Sequence, residues 1–177
     1  LPSVATKDAV LARLDQFIFS EDVQLGDATD AFAQLAVIGP RAAETVASIT
    51  GAAAADLHAL PEHGCARTTI AGGAAIATRV TDTGEPGFDL YVERARAADV
   101  LNALANAGVE ALDELTAEVL RVEAGVPRFH IDMDEETIPL EAGIEGRAIS
   151  LTKGCYVGQE VIIRVLHRGH GRVAEKL

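Results

Sequence analysis

One cysteine in this chain stands where a thiol could act. Cys155 lies in T-K-G-C-Y-V-G-Q-E, residues 152–160, just ahead of a stretch that reads as a helix over 158–166. Helix-start N–H groups and the ammonium of Lys153 both favour a thiolate over a thiol. The plain alternative is a small residue in a tight turn, since free cysteines are commonly just buried. On that alternative Gly154 and Gly158 serve backbone conformation alone. No histidine is placed in sequence as a partner base, and His167 and His170 reach the thiol only if the fold brings them there.

Three further stretches hold groups that recognise ligands. In T-D-T-G-E-P-G-F-D-L-Y-V, residues 81–92, Glu85 sits in a glycine-flanked turn before a strand. Such a carboxylate can accept two parallel hydrogen bonds from a guanidine-like edge. On spacing alone an ordinary acidic turn explains it better. In R-V-E-A-G-V-P-R-F, residues 121–129, Arg121 and Glu123 close a helix at Gly125, and spacing alone favours a solvated helix end. D-M-D-E-E, residues 132–136, is dense enough in carboxylates to raise a metal. It has no His or Cys at ligand spacing and lacks the glycine of a calcium loop, and His130 stands alone. The expectation is a solvated acidic loop and no metal. Cys65, in E-H-G-C-A-R-T, reads as structural, and His58 and His63 beside it lack the pattern of a zinc site.

The elements that must carry these groups follow from periodicity. Thr6 can cap a helix with apolar positions Val10, Leu11, Leu14, Phe17 and Ile18. Residues 31–38 read as a strand broken by Gly39-Pro40, then helices over 41–50 and 52–59. Residues 66–71 and 74–80 read as two strands joined at Gly72-Gly73, a hairpin. A strand at 88–92 follows, then helices over 94–107, ended by Gly108, and 113–123, ended by Gly125. Residues 126–150 read as loop. Helices and strands mix without a regular β-α-β rhythm, which predicts an α+β domain with antiparallel sheet and ferredoxin-like pieces.

Composition narrows the class. The chain has 177 residues, 49% hydrophobic and 24% charged, as soluble globular domains do. Its formal charge of −12 argues against a broad surface for nucleic acid or anionic membrane. A local basic patch remains near the end, from Arg164, His167, Arg168, His170, Arg172 and Lys176 against Glu175. Two cysteines outside any C-x-x-C pair fit a reducing cytoplasm better than a disulfide framework. No apolar run reaches membrane-spanning length and no signal-peptide pattern opens the chain. The first residue is Leu, and R-V-A-E-K-L reads as a strand beginning, so a fragment is expected.

Taken together, the motifs resemble one family. R-V-E-A-G-V-P-R-F, then D-M-D-E-E-T-I-P-L-E-A-G-I-E-G, then K-G-C-Y-V-G-Q-E at Lys153–Glu160, resemble the YgfZ-type folate-binding proteins. These are relatives of the glycine-cleavage T-protein, an aminomethyltransferase, and T-G-E-P-G-F resembles a segment shared with it. The likeness runs from about Thr81 to the end. It implies an aminomethyltransferase-type folate-binding domain over residues 1–170, with a C-terminal barrel starting at 171–177 and otherwise absent. It implies tetrahydrofolate as ligand, with Glu85 holding the pterin ring and Arg121 lining the same site. Tyr156, Gly158, Gln159 and Glu160 are expected at the cofactor site, with Tyr156 or Phe88 as a stacking face. Cys155 is implied as the functional thiol, with Lys153 beside it. The catalytic aspartate of T-proteins is expected upstream of Leu1, and T-proteins carry a Phe-x-Gly-Lys-type sequence in place of the cysteine octapeptide. The YgfZ-type group supports iron–sulfur cluster assembly or repair, including in tRNA-modifying enzymes. The resemblance therefore implies iron–sulfur client or assembly proteins as partners, with no direct nucleic acid and no membrane. One-carbon transfer and a binding module without chemistry are the competing readings.

Overall fold

The alternating stretches of the sequence become a four-stranded sheet. In a computed structural model, which describes residues 6–168, the strands are β1 (Phe32–Ile38), β2 (Cys65–Ile70), β3 (Gly73–Val80) and β4 (Gly87–Glu93). Their order across the sheet is β1-β4-β3-β2 and every pairing is antiparallel. Val37, Ile70, Ala75, Ala77, Phe88, Leu90 and Val92 point to one face. Against that face pack α2 (Ala42–Thr50), α3 (Ala54–His58) and α4 (Ala97–Asn106), through Val46, Leu57, Val100 and Leu104. The arrangement is α+β with an antiparallel sheet, as the sequence implies.

The topology is not the ferredoxin-like βαββαβ unit that was expected. Strands β2, β3 and β4 form a meander, and the helical crossover from β1 to β2 passes over two intervening strands. The chain divides into two compact units. The first takes in residues up to Thr81 and Glu85–Ala111, and the second takes in Asp82–Gly84 and the residues from Leu112 on. The barrel start assigned to 171–177 lies outside the described residues.

Local differences from the sequence reading have simple causes. Helix α1 (Lys7–Asp15) stops short of Phe17 and Ile18, which close the end with i→i+3 bonds to Leu14 and Asp15. It buries none of its residues, and the Thr6 side chain makes no capping bond. The hairpin turn is Ala71-Gly72 rather than Gly72-Gly73, because Gly73 already pairs with Ile70. Ala71 (φ 49°) and Gly72 (φ 78°) give the primed geometry that matches strand twist. Residues 94–96 form a 3₁₀ turn ahead of α4, where Arg94 reaches the carbonyls of Thr29, Asp30 and Phe32. Gly108 ends α4 in a Schellman motif: its N–H goes to Ala105 and that of Val109 to Leu104. Cys65, read as structural, is an exposed residue opening the edge strand β2.

The second unit is helices joined by long turns. Its elements are α5 (Glu114–Glu123), α6 (Glu145–Ala148) and α7 (Gln159–Arg168). Asp113 caps α5 by accepting from the Thr116 N–H at 2.7 Å. Leu140, Ala142 and Ile162 are its buried apolar residues. No helix among the described residues is long and apolar enough to cross a membrane.

Candidate functional site

Glu85 is presented by a turn whose backbone is pinned just beyond it. After it, the Pro86 carbonyl accepts from the Gly39 N–H at 2.9 Å, and β4 begins at Gly87. A Cβ on Gly87 would stand 3.0 Å from the Val37 carbonyl oxygen, so a larger residue would require β1 to shift by a few tenths of an ångström. The Glu85 side chain is exposed and has no hydrogen-bond or ion-pair partner among the described residues. A fixed backbone with an uncommitted carboxylate suits a planar donor edge. Phe88, three residues on, is 3% exposed and belongs to the core. It offers no stacking face, because an inward position on β4 turns it to the helices.

Arg121 is not at a solvated helix end. It is buried, and its guanidinium is fully engaged with the protein. Nε and Nη2 fork onto the two oxygens of Glu118, one turn back on α5. Nη1 donates to Asp132 at 2.7 Å and to the Val126 carbonyl. Asp132 also accepts from the Arg128 N–H at 2.7 Å, and Arg128 pairs with Glu118 at 3.2 Å. The guanidinium holds the Glu118 carboxyl below its ordinary range. The Arg128 N–H, and then Arg121, do the same for Asp132. Arg121 is held above its own ordinary value, first by Glu118. Asp132 is therefore an ion-pair partner rather than part of a solvated acidic loop.

Asp134 and Glu135 of the 132–136 loop are used locally. Asp134 accepts from Thr137 Oγ1 at 2.9 Å and from the Glu136 N–H at 3.0 Å, and Glu135 lies 3.0 Å from His130 Nε2. His58 lies 3.0 Å from Glu44. No group of three His, Cys, Asp or Glu that could hold a metal occurs among the described residues.

The 152–160 stretch forms an exposed approach to α7. The Cys155 thiol is exposed, four residues ahead of Gln159, where the helix begins. Lys153 Nζ lies 4.9 Å from the centre of the Tyr156 ring, a cation–π contact. The Tyr156 hydroxyl is buried with no hydrogen-bond partner among the described residues. Gly158 takes φ +85°, a conformation that favours glycine, whereas Gly154 has open space around its Cβ position. Glu160 pairs with Arg164 at 2.5 Å along the helix, and Gln159 is half-buried. The Arg168 side chain, His170, Arg172 and Lys176 lie outside the described residues. Two features escaped the sequence reading: the carboxylates around Arg121, and an ion pair of Arg147 with Asp82 at 2.7 Å. Glu118 three residues before Arg121 was a readable signal; a pair 65 residues apart was not.

Comparison with known proteins fits this architecture. Residues 2–153 match the family described as the GCVT N-terminal domain. The chain is 33% identical over 167 residues to an aminomethyltransferase of Rubrobacter xylanophilus, covering 94% of this chain and 44% of that protein. It is 32% identical over 176 residues to an aminomethyltransferase of Streptomyces coelicolor, covering 96% and 46%. An Exiguobacterium sibiricum aminomethyltransferase is 34% identical over 161 residues, covering 91% and 43%. The chain belongs to the GCVT N-terminal domain family. It spans less than half the length of these curated relatives. The family match stops at Lys153, two residues before Cys155.

Proposed function

We propose that this chain is a tetrahydrofolate-binding domain that serves one-carbon transfer of the aminomethyltransferase type. The observation that carries the reading is Glu85: an exposed, unpartnered carboxylate on a fixed turn, within a chain of the GCVT N-terminal family. A pterin offers adjacent N–H donors that one carboxylate accepts in a fork. Arg121, which the resemblance assigns to the folate site, already has its donors bound to Glu118, Asp132 and Val126. Titrating the full chain with tetrahydrofolate tests the reading. Glu85→Ala is expected to weaken binding at least tenfold, and equal affinity would remove Glu85 from the site.

A second reading keeps the ligand and changes the chemistry. Cys155 is exposed within K-G-C-Y-V-G-Q-E, the stretch that resembles the YgfZ-type proteins and lies beyond the family match. On this reading the thiol serves iron–sulfur cluster assembly or repair in client proteins, including those that modify tRNA. Cys155→Ala then loses that support while tetrahydrofolate still binds. Full support from the variant rules the thiol out, and turnover of an aminomethyl donor by it favours one-carbon transfer.

A further inference from the structure

We propose that the free edge of β1 is an interface for a second copy of this chain. The two β1 strands pair antiparallel about a two-fold axis and join two four-stranded sheets. The inference concerns the first compact unit alone and stands apart from the folate reading.

β1 is one edge of the sheet, with β4 on its other side. The Arg94 N–H donates to the Ala31 carbonyl and the Gly39 N–H to the Pro86 carbonyl, each at 2.9 Å, at the two ends of the β1–β4 ladder. Backbone direction alternates along an antiparallel strand, so Ala33, Leu35 and Val37 bond to β4. Phe32, Gln34, Ala36 and Ile38 turn their N–H and C=O groups to the open edge. Phe32 is already engaged: its N–H donates to Ala28 and its carbonyl accepts from Arg94 Nη2, each at 3.2 Å. The backbone groups of Gln34, Ala36 and Ile38 on that edge have no hydrogen-bond partner among the described residues.

Sheet edges are commonly guarded by charge or proline. The opposite edge, β2, carries the exposed Arg67. β1 reads F-A-Q-L-A-V-I, with neither guard. Leu35 faces the core side yet is only half-buried, although Leu90 across the ladder is fully buried. Another strand would cover both the open backbone groups and this apolar margin.

β1 is complementary to itself. Ala36 set opposite Ala36 of the second copy places Gln34 opposite Ile38, and every open group finds a partner. Leu35 then lies against Val37 of the second copy on the core side, and no like charges meet. Any other register leaves part of the open edge unpaired. Two seven-residue strands cover less than the ~1,200–2,000 Å² of a standard interface, so the dimer is weak and concentration-dependent.

The test is sedimentation of the full chain under reductant, from micromolar to millimolar concentration. The mass is expected to rise from one copy to two. Ala36→Lys brings two ammonium groups together at the two-fold axis, and Ala36→Pro removes an outward N–H, so both should stay monomeric. Ala36 is exposed, so Ala36→Lys should leave the thermal midpoint at low concentration almost unmoved. Mixing Ala36→Lys with Ala36→Glu should restore the dimer, and salt should weaken the mixed pair. In a C65S/C155S background, Ala36→Cys should cross-link to itself on oxidation, since paired Cα atoms about 5.5 Å apart lie within disulfide reach. Should Ala36→Pro fail to fold, Ala36→Lys and the mixture decide. A wild-type chain that stays monomeric to millimolar concentration overturns the proposal. So does a dimer that Ala36→Lys leaves intact, and so does a dimer in which Ala36→Cys fails to cross-link.

Discussion

Arg121 on α5 reaches Asp132, eleven residues further on, at 2.7 Å, while forking onto Glu118 one turn behind it. One guanidinium therefore ties the end of a helix to the loop that leaves it. Arg121→Ala takes the buried cation from Asp132 and leaves Glu118 only the half-exposed Arg128, and is expected to lower the thermal midpoint by about 5 °C or more. Arg128→Ala, which removes a half-exposed partner, should cost much less. Arg121→Lys should recover only part, since an ammonium cannot fork. Thermal unfolding followed by circular dichroism measures all three.

The same cluster makes the second unit acid-sensitive. Glu118 and Asp132 are both held below their ordinary range in the folded chain. Depressed carboxyls contribute stability that is complete above the unfolded value of about 4 and lost as pH falls below it. Denaturant unfolding from pH 7 to pH 3 should show a steep loss in wild type. Asp132→Asn should be less stable at pH 7 and lose less on acidification.

Core and site should separate cleanly along β4. Leu90 is fully buried and Phe88 nearly so, whereas Glu85 just ahead of the strand is exposed. Leu90→Ala is expected to cost about 2–5 kcal/mol and Phe88→Ala about 3–5 kcal/mol in urea unfolding. Glu85→Ala should stay within about 0.5 kcal/mol while losing tetrahydrofolate.

Ala71 holds a left-handed conformation that costs a Cβ-bearing residue energy. Ala71→Gly relieves it but loosens the unfolded chain, so the expected net gain is small, about 0.5 kcal/mol. The test is again urea unfolding. A clear loss of stability would mean that the turn relaxes around alanine without strain.

Both cysteines are exposed, so both should react with an aromatic disulfide reagent in the native protein. Wild type should release two equivalents of thiolate without denaturant, and Cys155→Ser one.

The sheet was legible because its signals are local. Alternation in 31–38, 74–80 and 88–92 gave the strands to within about two residues, and Gly108 and Gly125 marked helix ends correctly. The order β1-β4-β3-β2 was not legible, because pairing between distant strands leaves no trace in either one alone. Helix α1 shows the opposite failure. Val10 and Leu14 repeat at helical spacing yet stay exposed, so periodicity found the helix but not what it packs on. At the site, the Glu85 turn was readable from its glycines. Arg121 was misjudged as solvated because Asp132, which buries its charge, was assigned to a separate acidic loop.

Residues 82–84 belong with partners that a ribosome makes much later. Asp82 waits 65 residues for Arg147, and Gly84 forty for Ala124. At about 5–20 residues per second, the first wait is roughly 3–13 s. The strands on either side can pair in microseconds once synthesised. The strands on either side can therefore pair first, and the three-residue link meets its partners only later. A truncation before residue 147 should leave the sheet intact and Asp82 without its pairing to Arg147.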